Sequence, residues 1–316
     1  MTTIGGFFEL ELPCAGARLH TQAHALSTGR ACMMVMLQHL APKRVHVPFY
    51  TCDAALEPFV HLGIETRTYA LDETLFPQNL PSLDEGEYIL WTNYFGVCGQ
   101  HTDEIKKRFG QQALLDDTHD FFRSGHLGHW SFTSARKYFG VPDGAFLFAP
   151  EALNVEAERF KGISLTHGLL RRLGRQNEAY EAYKRYERNL DCSIYRISEV
   201  SEGILRGVDI ASVAEARHRN FKFLHSALGE HNQLSLQQVS DVPFCYPYLP
   251  NSTVKRDNLY ADGIFVPSLW PDILTRNVGG FDFEKRLSVE LLPLPIDHRY
   301  TPRDLQPMVD RLRNAI

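Results

Sequence analysis

The chain lacks any apolar run approaching the roughly 18 residues that a membrane-spanning helix requires. It also lacks a basic stretch: 33 Lys and Arg stand against 38 Asp and Glu, for a net charge of -5. Affinity for a phosphate backbone comes from clustered cations, so neither nucleic acid nor membrane is expected as a partner. The six cysteines (Cys14, Cys32, Cys52, Cys98, Cys192, Cys245) never form a C-x-x-C pair, which argues against a zinc knuckle or a disulfide framework and fits a reduced, cytoplasmic setting. The opening MTTIGGFFELELPCAG puts acidic residues where a signal peptide needs an unbroken apolar core. His20 and His24 stand four apart, but no Glu completes an H-E-x-x-H motif, so no metal is expected. No internal repeat or low-complexity segment interrupts the chain.

What is present is an ordinary globular balance over 316 residues, 44% hydrophobic and 22% charged. From residue 28 onward, helical and extended patterns alternate. Helices are expected at 30–40, 54–62 and 102–109, and strands at 44–48, 64–70, 88–92, 113–116 and 144–148. Such alternation implies βαβ units and a mainly parallel central sheet flanked by helices, an α/β fold. After Pro150 the pattern changes to polar-faced helices, including 176–188 and 211–228, and then to short strands, Pro-rich turns and helices from 239 on. The expected division is a large α/β domain over 1–200 and a smaller α+β domain over 201–316.

Ligands of open parallel sheets bind at the carboxyl ends of the strands, and three places there draw attention. The turn LSTGR (26–30) opens a helix, and its unpaired amides and dipole suit an anion; it also reads as a plain Ser/Thr cap. It is not a P-loop, because no G-K-[ST] follows. In ALLDDTH (113–119), Asp116 ends a buried strand and His119 follows three residues later, an arrangement that suits a protonated ligand but also an Asx turn. In SARKYFGVPDGAFLF (134–148), Lys137 stands between Ser134 and a Pro-Asp-Gly turn, with Phe132, Tyr138, Phe139 and the strand 144–148 expected to bury it in part. A lysine is nucleophilic toward carbonyls when burial or a nearby cation lowers its pKa from about 10.4. An anion turn, an acid at a strand end and a lysine after the next strand together meet the needs of pyridoxal phosphate.

On these residues the sequence resembles the DegT/StrS-type sugar aminotransferases of the aspartate-aminotransferase fold, fold type I. The likeness runs through STGRA (27–31), VPFYTCDA (47–54), NYFG (93–96), DDTH (116–119), SARK (134–137) and PDG (142–144), then ARHRN (216–220), FVPSLWP (265–271) and LPIDHRYT (294–301). The resemblance implies that Lys137 holds pyridoxal phosphate as a Schiff base and shuttles protons. It implies that Asp116, or Asp117 if the strand runs one residue longer, pairs with the pyridine nitrogen, and that His119 lies near the ring's 3-oxygen. Thr28, Gly29 and Arg30 would hold the phosphate with the hydroxyl of Ser134 or Ser131. Cys52 occupies the position of the ring that usually stacks on the cofactor, leaving that face to Tyr50 or His119. Ala145 follows Gly144 where many members have a second glycine.

Asn93 and Tyr94, after the strand 88–92, are candidate substrate contacts, Tyr94 reading equally as a packing residue. His126 and His129 read as solvated loop histidines. The run 180–188 reads as a dimer-facing or solvated helix. The activity that the resemblance implies is transfer of an amino group from an amino acid, with glutamate the expected donor, to a keto sugar, expected to be nucleotide-linked, in surface polysaccharide or amino-sugar biosynthesis. A homodimer with its active site at the interface is implied by resemblance. The competing readings are a lyase or dehydratase with the same cofactor and a non-catalytic binding or regulatory protein.

Overall fold

Strand and helix alternate through the first half of the chain as β1 (His24–Leu26), α1 (Gly29–Leu40), β2 (Arg44–Pro48), α2 (Asp53–Leu62), β3 (Glu65–Tyr69), β4 (Glu87–Thr92), α3 (Gly99–Phe109), β5 (Ala113–Asp116), β6 (Trp130–Ser134) and β7 (Ala145–Phe148). The computed structural model describes residues 10–13, 16, 19–236 and 242–314. Cys14 and most of the stretch read against a signal peptide lie outside the described residues. No helix among the described residues is long and apolar enough to cross a membrane.

These strands form one seven-stranded sheet in the order β1-β7-β6-β5-β4-β2-β3. β3, β2, β4, β5 and β6 run parallel, and β7 lies antiparallel between β6 and β1. The mainly parallel sheet expected from the sequence is therefore observed. The chain winds outward from β2 to β3 and then returns across β2 to β4, so the order reverses at the β2/β4 boundary, where an α/β sheet opens a crevice. The edge strand β3, ETRTY, is exposed over its first four residues, and its charges discourage pairing with another edge.

Both faces of the sheet are covered. On one, α1 buries Ala31 through Leu37 without a break, packed with Val45, Val47, Leu90, Leu114, Trp130 and Phe132. Each such large side chain, fully buried, stabilises the fold by about 1.5–3 kcal/mol. On the other, Ile89, Trp91, Tyr94, Ile105 and Leu115 pack with C-terminal residues such as Leu249, Ile273 and Leu287.

The connection continues as α4 (Thr166–Arg172), α5 (Gln176–Arg188), α6 (Glu199–Arg206) and α7 (Ile210–Leu228), followed by β8 (Tyr246–Tyr248), α8 (Arg256–Ala261), α9 (Asp282–Glu290), β9 (Leu292–Leu294) and α10 (Pro302–Arg313). β8 and β9 form a small antiparallel pair that shares a separate core with α7, α8 and α10, built on Phe221, Leu224, Tyr246, Leu259, Leu292 and Val309. The expected boundary between residues 200 and 201 falls inside the continuous helix α6.

Candidate active site

Four neighbouring strands deliver their carboxyl ends to one place. Beyond β2 come Tyr50 and Cys52, beyond β4 Asn93 and Tyr94, at the end of β5 Asp116 with His119, and beyond β6 Lys137. Asp116 lies opposite Thr92 on β4 and Phe132 on β6. Its carboxylate accepts the Thr118 amide at 3.0 Å and also hydrogen-bonds the Thr118 side chain. Burial pushes its pKa up to about 6, against the pull of Thr118.

Asp117 is committed elsewhere. Its carboxylate meets His126 Nε2 at 2.8 Å, both groups are buried, and its carbonyl accepts the Thr133 hydroxyl at 2.7 Å. This corrects the reading of His126 as a solvated loop residue, because the imidazole is buried against the Asp117 carboxylate and not open to water. His129 does lie in the loop, its Nδ1 3.1 Å from the Leu127 carbonyl oxygen. His20 and His24 do not share a helix. His20 sits edge-on against Phe121, Phe146 and Phe148, and burial lowers its pKa to about 4. No group of three or more potential metal ligands occurs among the described residues.

His119 is enclosed. Its ring lies parallel to Phe244 at 4.5 Å and to Trp270 at 5.9 Å between centroids. The Phe95 amide donates to its Nδ1 at 3.2 Å. Burial, then the positive charge of Lys137, hold its pKa well below the usual histidine range. A neutral ring that accepts at Nδ1 carries its proton on Nε2.

Lys137 differs from expectation. Phe132, Tyr138, Phe139 and the strand 145–148 are buried, but the lysine side chain itself is exposed. Those apolar residues pack inward against the sheet and the connection, so one chain alone does not bury the amine. Its charge nevertheless reaches Cys52, whose thiol burial pushes up and Lys137 draws down.

The turn that opens α1 is formed as an anion site would need. Thr28 caps the helix through its hydroxyl, which accepts the Ala31 amide at 3.0 Å. The amides of Gly29 and Arg30 find no acceptor among the described residues. A side chain at Gly29 would touch the rings of Phe132 and the methyl of Thr118 at 3.4–3.7 Å, which puts this turn beside the ends of β5 and β6. Arg30 itself pairs with Glu57 at 2.7 Å. Because side chains alternate along a strand, Ser134 shares the α1 face with Trp130 and Phe132, whereas Ser131 points to the opposite face. Ser131 Oγ is buried without a partner among the described residues.

Tyr50 is buried, edge-on to Trp270 at 4.5 Å. Tyr94 is also fully buried, and its hydroxyl donates to the Tyr50 carbonyl at 2.9 Å. Asn93 is fully buried too, donating to Asp120 at 3.1 Å and accepting the Cys98 amide at 3.0 Å. Of the two readings of Tyr94, the geometry has the packing one, and both side chains spend their polar groups inside the protein.

Sequence reasoning missed the contacts that hold the site in place. Gly144 donates to the Ser27 carbonyl at 2.6 Å and accepts from the Ala135 amide at 3.0 Å, tying the anion turn to the lysine turn. Its φ of 126° and the approach of Ile197 require glycine there. Beside it the buried Asp143 accepts the amide and hydroxyl of Ser198, at 2.7 and 2.5 Å, and the Ser201 hydroxyl, locking the same turn to the start of α6. The Pro-Asp-Gly signal was visible in the sequence; its partners, more than 50 residues away, were not.

No protein-family model and no curated protein sequence matches the chain. Solved structures do. A DegT DnrJ EryC1 StrS aminotransferase from Brucella abortus superposes with a TM-score of 0.62 at 17% identity, covering 92% of this chain and 85% of that one. The sugar aminotransferase CalS13 from Micromonospora echinospora gives 0.62 at 14% identity, covering 93% and 88%. The chain has their fold. A third similar structure is the E. coli GDP-4-keto-6-deoxy-D-mannose-3-dehydratase with bound hydrated PLP, with a TM-score of 0.60 at 15% identity over 93% and 87%. The fold type I architecture expected from the sequence is thus the one observed.

Proposed function

We propose that the protein is a pyridoxal-phosphate-dependent aminotransferase that moves an amino group from an amino acid, with glutamate as donor, to a keto sugar carried on a nucleotide. The observation that carries this reading is the convergence of Asp116, His119, Lys137 and the open amides of Gly29 and Arg30 at the ends of adjacent strands. A buried carboxylate with no ion-pair partner among the described residues fits a protonated ring nitrogen, and a helix N-terminus whose first amides find no acceptor among them fits a phosphate.

When bound, pyridoxal phosphate supplies an electron sink for charge developing at the substrate carbon. The chain's own residues do the rest. Asp116 would pair with the ring nitrogen and keep it protonated. Thr28, Gly29, Arg30 and Ser134 would hold the phosphate, and His119 would offer its Nε2 proton to an oxygen on the ring. Lys137 Nζ takes a proton from the donor's carbon and returns one to the sugar's in the second half-reaction.

The exposure of Lys137 supports a homodimer whose second copy closes the site and excludes water from the amine. The α4–α5 hairpin offers an apolar surface for such contacts, with Leu169, Leu173, Tyr180 and Tyr183 between 42% and 71% exposed. Soluble, cytoplasmic work in amino-sugar or surface-polysaccharide synthesis is the setting we assign. The similarity to a dehydratase favours a lyase as the second reading.

The test is the absorption spectrum of the purified protein with added pyridoxal phosphate, beside Lys137→Ala, before and after glutamate. A visible band that requires Lys137 and fades with glutamate is expected. A lysine-dependent band that glutamate leaves unchanged would favour the lyase, and the absence of any such band would leave a binding protein.

A further inference from the structure

Arg217, on α7, is 2% exposed, and a buried guanidinium is held in place by the acceptors its donors find inside the protein. Burial even lowers its pKa. Its Nη1 donates to the carbonyls of Pro243 and Phe244, at 3.2 and 2.9 Å. Its Cζ lies over the Tyr138 ring, 4.4 Å from the centroid, a cation–π contact strengthened by the exclusion of water.

Each of these partners leads to His119. Phe244 stacks on the imidazole at 4.5 Å, and its amide donates to the Phe95 carbonyl at 2.8 Å. Phe95 in turn supplies the amide that His119 Nδ1 accepts. Tyr138, next to Lys137 in the chain, donates its hydroxyl to the His119 carbonyl and lies 3.3 Å from the Val242 carbonyl. The segment 242–244 therefore has three successive carbonyls engaged, two by Arg217 and one by Tyr138.

We infer that Arg217 is a positioning residue that locks His119 in one tautomer, Nδ1 bare and Nε2 protonated, by holding Phe244 and Phe95 against the imidazole from the second core. Asn220, one turn further along α7, provides the comparison. It holds the carbonyls of Ile296, Asp297 and Tyr300, at 3.1, 3.2 and 2.8 Å, and so braces the same helix without reaching the 242–244 segment. The inference concerns the ligand-free chain and stands or falls independently of the aminotransferase reading, although under that reading the locked Nε2–H is the group offered to the cofactor.

The experiment is nitrogen-15 NMR of the full-length protein labelled at histidine, with His119→Gln to assign the signals. Wild type should show one bare and one protonated nitrogen for His119, at separate shifts. In Arg217→Met, and in Phe244→Leu should the first variant fail to fold, the two signals should move toward a common averaged shift. Arg217→Lys, which keeps a donor but not the planar fork, should fall between, and Asn220→Ala should leave both signals in place. Unchanged signals in a folded Arg217→Met or Phe244→Leu protein would overturn the inference. An equal disturbance in Asn220→Ala would reduce Arg217 to a brace of α7, and would overturn it as well.

Discussion

A carboxyl at the end of a buried strand is an expensive group to keep ionised, and Asp116 illustrates how a site shows itself at the scale of one residue. Its pKa in the folded chain is raised from 3.8 to about 6, first by burial and also by Asp117. An acid whose folded pKa exceeds its unfolded one binds its proton more tightly when folded. The resulting stability is fully present below the unfolded value and is lost as pH rises through the folded one. Above pH 6 the ligand-free fold therefore carries a penalty of roughly 3 kcal/mol from this group. Asp116→Asn removes the charge and can still accept the Thr118 amide. Its unfolding free energy from urea titration should equal wild type near pH 4 and exceed it near pH 8 by up to roughly 3 kcal/mol, while affinity for pyridoxal phosphate falls. Equal destabilisation at both pH values would show that the carboxylate is structural. The pairing of Asp117 with His126, which favours Asp116 as the carboxylate of the proposed site, was not legible in the sequence, because no local pattern announces the burial of His126.

Between strand and strand, the turns carry the precision. Gly96 has a φ of 71°, and a methyl group there would lie 2.3 Å from the His119 carbonyl oxygen and 3.1 Å from Pro243 Cα. The left-handed backbone and the close approach each penalise alanine, so Gly96→Ala should cost about 3 kcal/mol or more. It should also disturb the Phe95 amide that His119 accepts. Urea unfolding checks the magnitude, and a loss below about 1 kcal/mol would mean that the 243–244 segment simply moves aside. Elements of this kind were partly legible. β2 and β5 were read at their observed bounds because a short apolar run between turn signals leaves little choice. The three-residue strands HAL, YPY and LPL (β1, β8, β9) have too few side chains to display a period. The exposure of Lys137 was misread because apolar neighbours in sequence bury their own surface against the sheet and say nothing of where the lysine goes.

Over the whole molecule, the site is closed by contacts between residues more than 200 apart, and these are the contacts a single sequence hides most completely. Arg276 donates to the carbonyls of Phe49 and Thr51, at 2.9 and 3.0 Å, and pairs with Asp53 at 2.5 Å. Asp272 accepts the Asp53 amide at 3.2 Å, and Phe281 stacks on Phe49 at 4.0 Å. The C-terminal segment 270–281 thus clamps the loop after β2, which carries Tyr50 and Cys52, and holds Trp270 against His119 and Tyr50. Truncating Arg276 to alanine leaves the Thr51 carbonyl without its donor and the Phe49 carbonyl with the Thr51 amide alone, and the loop should open locally well before the cores unfold. Cys52 is the reporter, because it is half-buried and its thiol is pushed up by burial, whereas Cys32, Cys98, Cys192 and Cys245 are buried. Alkylation followed by peptide mapping should show the Cys52 peptide modified several-fold faster in Arg276→Ala than in wild type, with the peptides of the four buried cysteines unchanged. If all five accelerate together, the arginine supports global stability; if none does, the stacking of Phe281 on Phe49 suffices to hold the loop closed.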